Sequence, residues 1–323
     1  MNKPRILIII AYFGKLPSCF KYFCKSVFTN ESVLDVLLVT DQDVKSQNNL
    51  YVHKSTLRNL QERLVKFVQE NSEISFNQKN IFRASSRKIC DIKVAYRFLF
   101  EDEINSIRKY HENDYVGYGD LDVIFGNISS YMNGDWEEIP PLRDFEILGL
   151  HGHFTAIKFG SIAWKDILIH DWFFESLVTR NMVVLDEGNF RKYLITKAGV
   201  YNDKDETFLN DYRVCRRGTD KWHGNPLDSS SPVRNFYMSK MPLIGLFFKN
   251  IIGNLFIDGE RLKLGIETTI DQPYIDELSF DNGNLSYVIN GKIISMLYCH
   301  LGSHWKYDFI ETKNKFKVVR GTT

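Results

Sequence analysis

The sequence predicts an α/β protein with a mixed, mostly parallel central sheet and a less regular region appended to it. Two observations predict this. In the first half, short apolar runs of the kind buried on both faces of a parallel sheet alternate with segments whose apolar residues repeat at helical spacing. In the second half the alternation gives way to aromatic-rich runs and, near the end, a hairpin signal.

Ile6 to Tyr12 is a continuous apolar run and reads as a buried first strand. Lys3 and Arg5 precede it as in a targeting sequence, but the run is too short for a secretory segment and no small-residue cleavage site follows. Pro17 to Phe28 carries Phe20, Phe23, Cys24 and Val27 at helical spacing. Val33 to Thr40 is a second buried strand, and Leu50 to Lys54 is a short third. Ser55 caps a helix striped by Leu57, Leu60, Leu64, Phe67 and Val68. Asp91 to Ile104 reads as one further helix and Asp114 to Tyr118 as the next strand. Phe145 to Leu150 and Phe154 to Lys158 are two more strands. Asn290-Gly291, between Leu285 to Ile289 and Lys292 to Tyr298, is a two-residue hairpin turn. Alternating strands and helices place a ligand at the carboxyl ends of the strands. Phe13 and Gly14, Thr40 and Asp41, and Asp120 and Asp122 follow three of those strands and are expected to converge there.

Charge and cysteine usage narrow the function. With 41 lysines and arginines against 40 aspartates and glutamates there is no global field to attract nucleic acid, and no basic cluster is interleaved with aromatics. No nucleic-acid partner is expected. The cysteines Cys19, Cys24, Cys90, Cys215 and Cys299 form no Cys-x-x-Cys pair and are odd in number, which predicts reduced thiols in a cytoplasmic protein. Residues 241–257 are the most apolar stretch, but Lys249, Asn250 and Asn254 interrupt them short of a bilayer span. They read as a core helix opened by Pro242 or as a surface helix on the inner face of the membrane.

Three Asp-x-Asp triplets occur. Asp41-Gln-Asp43 opens a polar stretch, Asp203-Lys-Asp205 has no strand before it, and only Asp120-Leu-Asp122 has strand on both sides. Carboxylates are hard oxygen ligands, and Mn²⁺ or Mg²⁺ is commonly held by one or two of them plus phosphate oxygens. The triplet therefore points to a cation on a nucleoside-diphosphate substrate, a solvated turn being the other reading. The late run Cys299-His300-Leu-Gly302-Ser-His304-Trp-Lys306 suits the same chemistry. Its imidazole can complete the cation's shell and its lysine can offset charge on a leaving diphosphate.

Several blocks together resemble a known family. They are Tyr12-Phe-Gly-Lys-Leu-Pro17 with Ser26 and Asn30, Leu38-Val-Thr-Asp41, Lys88-Ile-Cys-Asp91-Ile-Lys93-Val-Ala-Tyr96, and Gly117-Tyr-Gly-Asp-Leu-Asp-Val-Ile-Phe-Gly126. In that order they resemble a bacterial family of capsule and O-antigen polysaccharide glycosyltransferases. The likeness covers most of the first 130 residues and the rest in patches. His300 and Lys306 also stand at the separation of the His-x-x-Gly-x-x-Lys element of lipopolysaccharide hexosyltransferases, although the glycine falls one place early and no proline follows Lys306.

The resemblance implies a GT-A type, Rossmann-like nucleotide-sugar-binding domain, with residues 1–130 as the donor half and 131–323 as the acceptor half. It implies that Ala11, Tyr12 and Phe13 line the uridine pocket, that Asp41 or Asp91 holds the ribose or uracil edge, and that Lys88 lies near the nucleotide. Asp120 would face ribose and metal with Leu121 beside it, Asp122 would ligate the metal, His300 would close the site and Lys306 would meet the diphosphate. The implied reaction transfers a hexose from a UDP-sugar to a lipid-linked O-antigen or capsule acceptor. An inverting enzyme needs a carboxylate base, for which Val184-Leu-Asp186-Glu187-Gly188 offers Asp186 or Glu187. His151 and His153 face one way on a strand but lack a third zinc ligand nearby, so they read as a polar rim on the acceptor side. Two other classes stay open: a haloacid-dehalogenase-type phosphatase with Asp120 as nucleophile and Asp122 as acid, and a non-catalytic sugar-binding module.

Overall fold

The structure is a computed structural model that describes residues 4–78, 81, 88–133, 143, 146–186, 188–190, 193–194, 214–215, 277–289, 292–296, 298–301, 307–312 and 315–320. In chain order the elements are β1 (Ile6–Tyr12), α1 (Phe20–Phe28), β2 (Leu34–Thr40), β3 (Leu50–Lys54) and α2 (Leu57–Asn71). Next come α3 (Ile89–Ile92), α4 (Tyr96–Leu99), α5 (Glu101–Ile107), β4 (Tyr115–Gly119), β5 (Val123–Phe125) and α6 (Ile128–Asn133). They are followed by β6 (Ile147–His151), β7 (Phe154–Lys158), α7 (Ala163–Asp166), α8 (Asp171–Val178) and the two-residue β8 (Val214–Cys215). Completing the order are β9 (Glu277–Asp281), β10 (Asn284–Ile289), β11 (Lys292–Met296), β12 (Tyr298–His300), β13 (Tyr307–Thr312) and β14 (Lys315–Arg320).

Two compact units divide the chain. The first takes in residues 1–18, 31–121 and 145–214, and the second takes in 19–30, 122–144 and 215–323. In the first unit β3, β2, β1 and β4 run parallel in that spatial order, β7 continues the sheet antiparallel to β4, and β6 beyond it runs antiparallel to β7. This is an α/β fold on a mixed, mostly parallel sheet. Strands β1 and β2 are buried along almost their whole length, which is why β1 reads as an unbroken apolar run and β2 as one interrupted only by Asp35 before its closing Thr40. The one charge in β2, Asp35, is compensated where it lies: it accepts from Arg5 Nη2 at 2.7 Å, Arg5 Nε at 2.9 Å and the Tyr110 hydroxyl at 3.1 Å. At β4 the backbone of β7 comes so close that a Cβ on Gly117 would meet the Thr155 carbonyl oxygen at 1.8 Å. Only glycine fits there.

Two local expectations are corrected. Helix α2 is capped by Thr56 rather than Ser55, its side chain accepting from the Asn59 N–H at 3.2 Å. The single helix expected from Asp91 to Ile104 is broken into α3, a 3₁₀ turn over Lys93–Ala95, α4 and α5, with a non-helical Phe100 between the last two. Asp91 and Lys93 have partners outside the segment, and satisfying buried charges outweighs helical regularity.

In the second unit β11, β10, β9, β14 and β13 form an antiparallel sheet. Ile289 pairs with Lys292, and the expected turn residues Asn290-Gly291 lie outside the described residues. Tyr22 of α1 stacks on Phe309 with centroids 3.9 Å apart. Asn30 fixes the chain after β5: its Nδ2 donates to the Gly126 carbonyl at 2.7 Å and its Oδ1 accepts from the Ile128 N–H at 2.8 Å. Among the described residues no helix is long and apolar enough to cross a membrane, and residues 241–257 lie outside them.

Candidate functional site

Parallel pairing sends the segments after β1, β2 and β4 out on one edge of the first unit's sheet. The parallel ladder of β1 and β4 ends at the pair Ile9 and Tyr118, and Ala11 and Asp120 each stand two residues beyond it. The loops after β1 and β2 are tied together, because the Gly14 N–H donates to Asp41 Oδ1 at 2.9 Å. Gly14 has φ +97°, in the left-handed region that suits glycine. Hydrogen bonds from the Gln42 amide and then from Gly14 hold the exposed Asp41 carboxyl below the usual carboxylate range. Ala11 is buried, and Tyr12 and Phe13 are half-buried on the same edge.

Lys93 lies at the centre of the charged groups. Placed by the 3₁₀ turn, its buried Nζ donates to Asp120 Oδ1 and to the Gly152 carbonyl at 3.1 Å. The Asp120 N–H in turn donates to the His153 carbonyl at 3.1 Å, so the turn between β6 and β7 cradles the pair. Burial works against the Lys93 ammonium, yet Asp120 and Asp186 outweigh it and raise its pKa above the ordinary lysine value. Asp186 is buried, whereas the Asp120 side chain keeps 34 % of its exposure. Burial pushes the nearby Cys90 thiol up to about 11, Lys93 pulling down and Asp120 and Asp186 pulling up. The Tyr96 hydroxyl lies in the same field, and among the described residues it has no hydrogen-bond partner.

Lys88 and Asp91 face each other instead. Lys88 Nζ donates to Asp91 Oδ2 at 2.8 Å, and both side chains are almost fully buried. Burial lowers the Lys88 pKa, with Asp91 opposing it. Their remaining bonds go to backbone near Asp186: Lys88 to the Ser176 and Asn181 carbonyls, and Asp91 from the Val183 and Leu185 N–H groups. In the second unit the β5 and β12 ladder sets His300 opposite Val123, and the Leu301 N–H donates to the Asp122 carbonyl at 2.8 Å. The chain after the late hairpin thus pairs beside the residue after Asp122. Burial first, then Asp122, raises the Cys19 thiol to about 12.

The first unit therefore gathers Asp120 and Asp186 around Lys93, with Ala11, Tyr12, Phe13 and Asp41 on the same sheet edge. Leu121 and His153 are buried, and His151 is the last residue of β6. Glu187 and Lys306 lie outside the described residues, as does Asp203-Lys-Asp205. Lys93 is the residue that sequence reasoning gave no role. Its signal was present: a lysine within the apolar run Ile92-Lys93-Val94-Ala95-Tyr96 has to be buried with a counter-charge.

Among the described residues no three His, Cys, Asp or Glu side chains are grouped so as to hold a metal ion by themselves. Asp120 and Asp122 are each partly exposed, and a hard divalent cation bound by one or two carboxylates takes the rest of its shell from phosphate oxygens and water.

Fold and site define a class: an α/β protein with a buried lysine holding carboxylates at the carboxyl edge of a mostly parallel sheet. The chain belongs to a family of unknown function, DUF6625, whose model matches residues 8–219. No curated protein and no solved structure matches the chain.

Proposed function

We propose that the protein is a metal-dependent glycosyltransferase of GT-A type that moves a hexose from a UDP-sugar to a lipid-linked O-antigen or capsule glycan at the cytoplasmic face of the membrane. The observation that carries this reading is the buried Lys93, which holds Asp120 at the sheet edge with Asp186 in the same field. Ligand binding at that edge is the habit of open α/β sheets.

Tyr12, Phe13 and Ala11 receive the base, and Asp41 the ribose. By the family resemblance, Asp120 and Asp122, two residues apart in the chain, would hold Mn²⁺ or Mg²⁺, and His300 would add to its shell. When bound, the cation supplies charge stabilisation to the departing diphosphate. Lys93 fixes the orientation of Asp120 and keeps a positive charge next to it. Asp186, with Glu187 next in sequence, takes the proton of the acceptor hydroxyl.

The test is incubation of the protein with a panel of UDP-sugars and Mn²⁺. UDP release supports the transferase, free phosphate from sugar phosphates would instead identify a phosphatase, and binding without turnover a sugar-binding module. Asp122→Asn is expected to abolish Mn²⁺-dependent UDP release with the fold intact by circular dichroism, and full retained activity sinks the metal assignment.

A further inference from the structure

The turn that carries Asp186 is held in a conformation its own residues disfavour. Val184 has φ +54°, in the left-handed region that a branched side chain rarely adopts. The residue is 38 % exposed, so packing does not impose that backbone. The flanking residues do. Val183 N–H donates to Asp91 Oδ2 at 2.9 Å and Leu185 N–H to Asp91 Oδ1 at 2.7 Å, so one carboxylate grips the chain on either side of Val184. The grip is itself anchored, because Lys88 Nζ binds Asp91 Oδ2 at 2.8 Å, the Ser176 carbonyl at 2.6 Å and the Asn181 carbonyl at 3.2 Å. On the far side the Gly188 N–H closes the turn onto the Val184 carbonyl at 2.7 Å, and a Cβ on Gly188 would meet that oxygen at 2.7 Å.

A buried ion pair is an expensive way to hold a loop, since two charges leave water. Strain that the surroundings over-determine is found at sites where geometry matters to function. Asp186 directly follows the gripped residues 183–185 and lies inside the turn that Gly188 closes.

We propose that Lys88 and Asp91 form a positioning device that locks the 183–185 turn and so keeps Asp186 in the field of Lys93 and Asp120. The proposal rests on the role given to Asp186 under the proposed function. Asp91, buried and bonded to Lys88 and to the Val183 and Leu185 N–H groups, acts in this proposal through the backbone.

The test starts from Asp91→Asn, which keeps the shape of the side chain but cannot accept from both N–H groups and a lysine. UDP release is expected to fall about tenfold to a hundredfold with the donor KM little changed, as a misplaced catalytic group does. Hydrogen exchange over 182–186 is expected to quicken. Asp114→Asn, which keeps only one of the two oxygens that accept from the Arg5 and His111 N–H groups elsewhere in the unit, controls for general loosening and leaves 182–186 protected. Adding Val184→Gly, which takes a left-handed φ without strain, is expected to restore most of the turnover lost in Asp91→Asn. In an Asp186→Asn background, Asp91→Asn should cost nothing further. Unchanged exchange at 182–186, no rescue by Val184→Gly, or losses at 91 and 186 that multiply, each overturns the proposal. If Lys88 left without its counter-charge prevents folding, Lys88→Met/Asp91→Asn removes both charges and is read in the same way. A wild-type protein that releases no UDP defeats the proposed function, and the exchange data then decide the lock alone.

Discussion

A lysine whose neighbours are Ile92, Val94 and Ala95 is stable only because carboxylates meet it. The two ends of the Lys93 and Asp120 pair are not equivalent, since Asp120 keeps a third of its exposure and Lys93 almost none. Removing the lysine leaves a carboxylate that water can reach. Removing the carboxylate leaves an ammonium that water cannot reach, and an orphaned buried charge costs about 3–5 kcal/mol where no other partner takes it up. Asp186 remains near Lys93 and the pair is partly solvated, so the larger figure is discounted. Asp120→Asn is expected to destabilise by about 2 kcal/mol and Lys93→Met by about 1 kcal/mol, measured as urea midpoints. Both should lose UDP release. The reverse order of stability would mean that Lys93 is held chiefly by the Gly152 carbonyl and not by Asp120.

At the scale of elements, the sheet edge depends on how closely β4 and β7 approach. A methyl on Gly117 would overlap the Thr155 carbonyl oxygen at 1.8 Å, and backbone cannot step aside as a side chain can. Gly117→Ala is expected to cost at least about 3 kcal/mol, or to prevent folding. Gly14→Ala meets open space but has to hold φ +97°, so its cost is about 1–2 kcal/mol together with a looser tie to Asp41. Thermal melts of the two variants separate a steric glycine from a conformational one, and equal losses would contradict the distinction. The same contrast explains what could be read in the sequence. Burial on both faces is written directly into Ile6 to Tyr12 and Leu34 to Thr40, and those strands fall where the apolar runs put them. The break in the Asp91 to Ile104 helix was not legible, because its cause lies in Gly152, Val183 and Leu185, far away in the chain. Asp91 shows the difficulty most plainly: an aspartate at the start of a helical pattern reads as a cap or a ligand. Its use as an acceptor for two N–H groups more than ninety residues away appears only in three dimensions.

For the molecule as a whole, the thiols and the buried lysine set the alkaline limit of stability. Among the described residues Cys19, Cys24 and Cys90 are in no disulfide, and burial raises their thiols to about 12, 11 and 11 from an ordinary 9.0. Between about pH 9 and those folded values the unfolded chain has lost protons that the native chain keeps, so stability falls as pH rises. Lys93, raised as well, adds to the loss in the same direction at still higher pH. Glu103 acts at the other end: burial raises its pKa, but the hydrogen bond from Arg63 and the neighbouring charges outweigh burial and lower it. Its contribution is present above the unfolded carboxylate value and is lost as pH falls through the folded one. A urea midpoint measured across pH is therefore expected to stay level from about pH 6 to 8 and to decline steadily above about pH 9. The same burial makes the three thiols poor nucleophiles, so labelling with a disulfide reagent at about pH 8 should be slow in the native protein and fast once urea unfolds it. A midpoint level to about pH 11, or rapid native labelling of Cys19, would show that these thiols ionise as freely as in the unfolded chain, and the alkaline loss would then have to come from Lys93 and from Tyr96 and Tyr110, whose hydroxyls burial also raises.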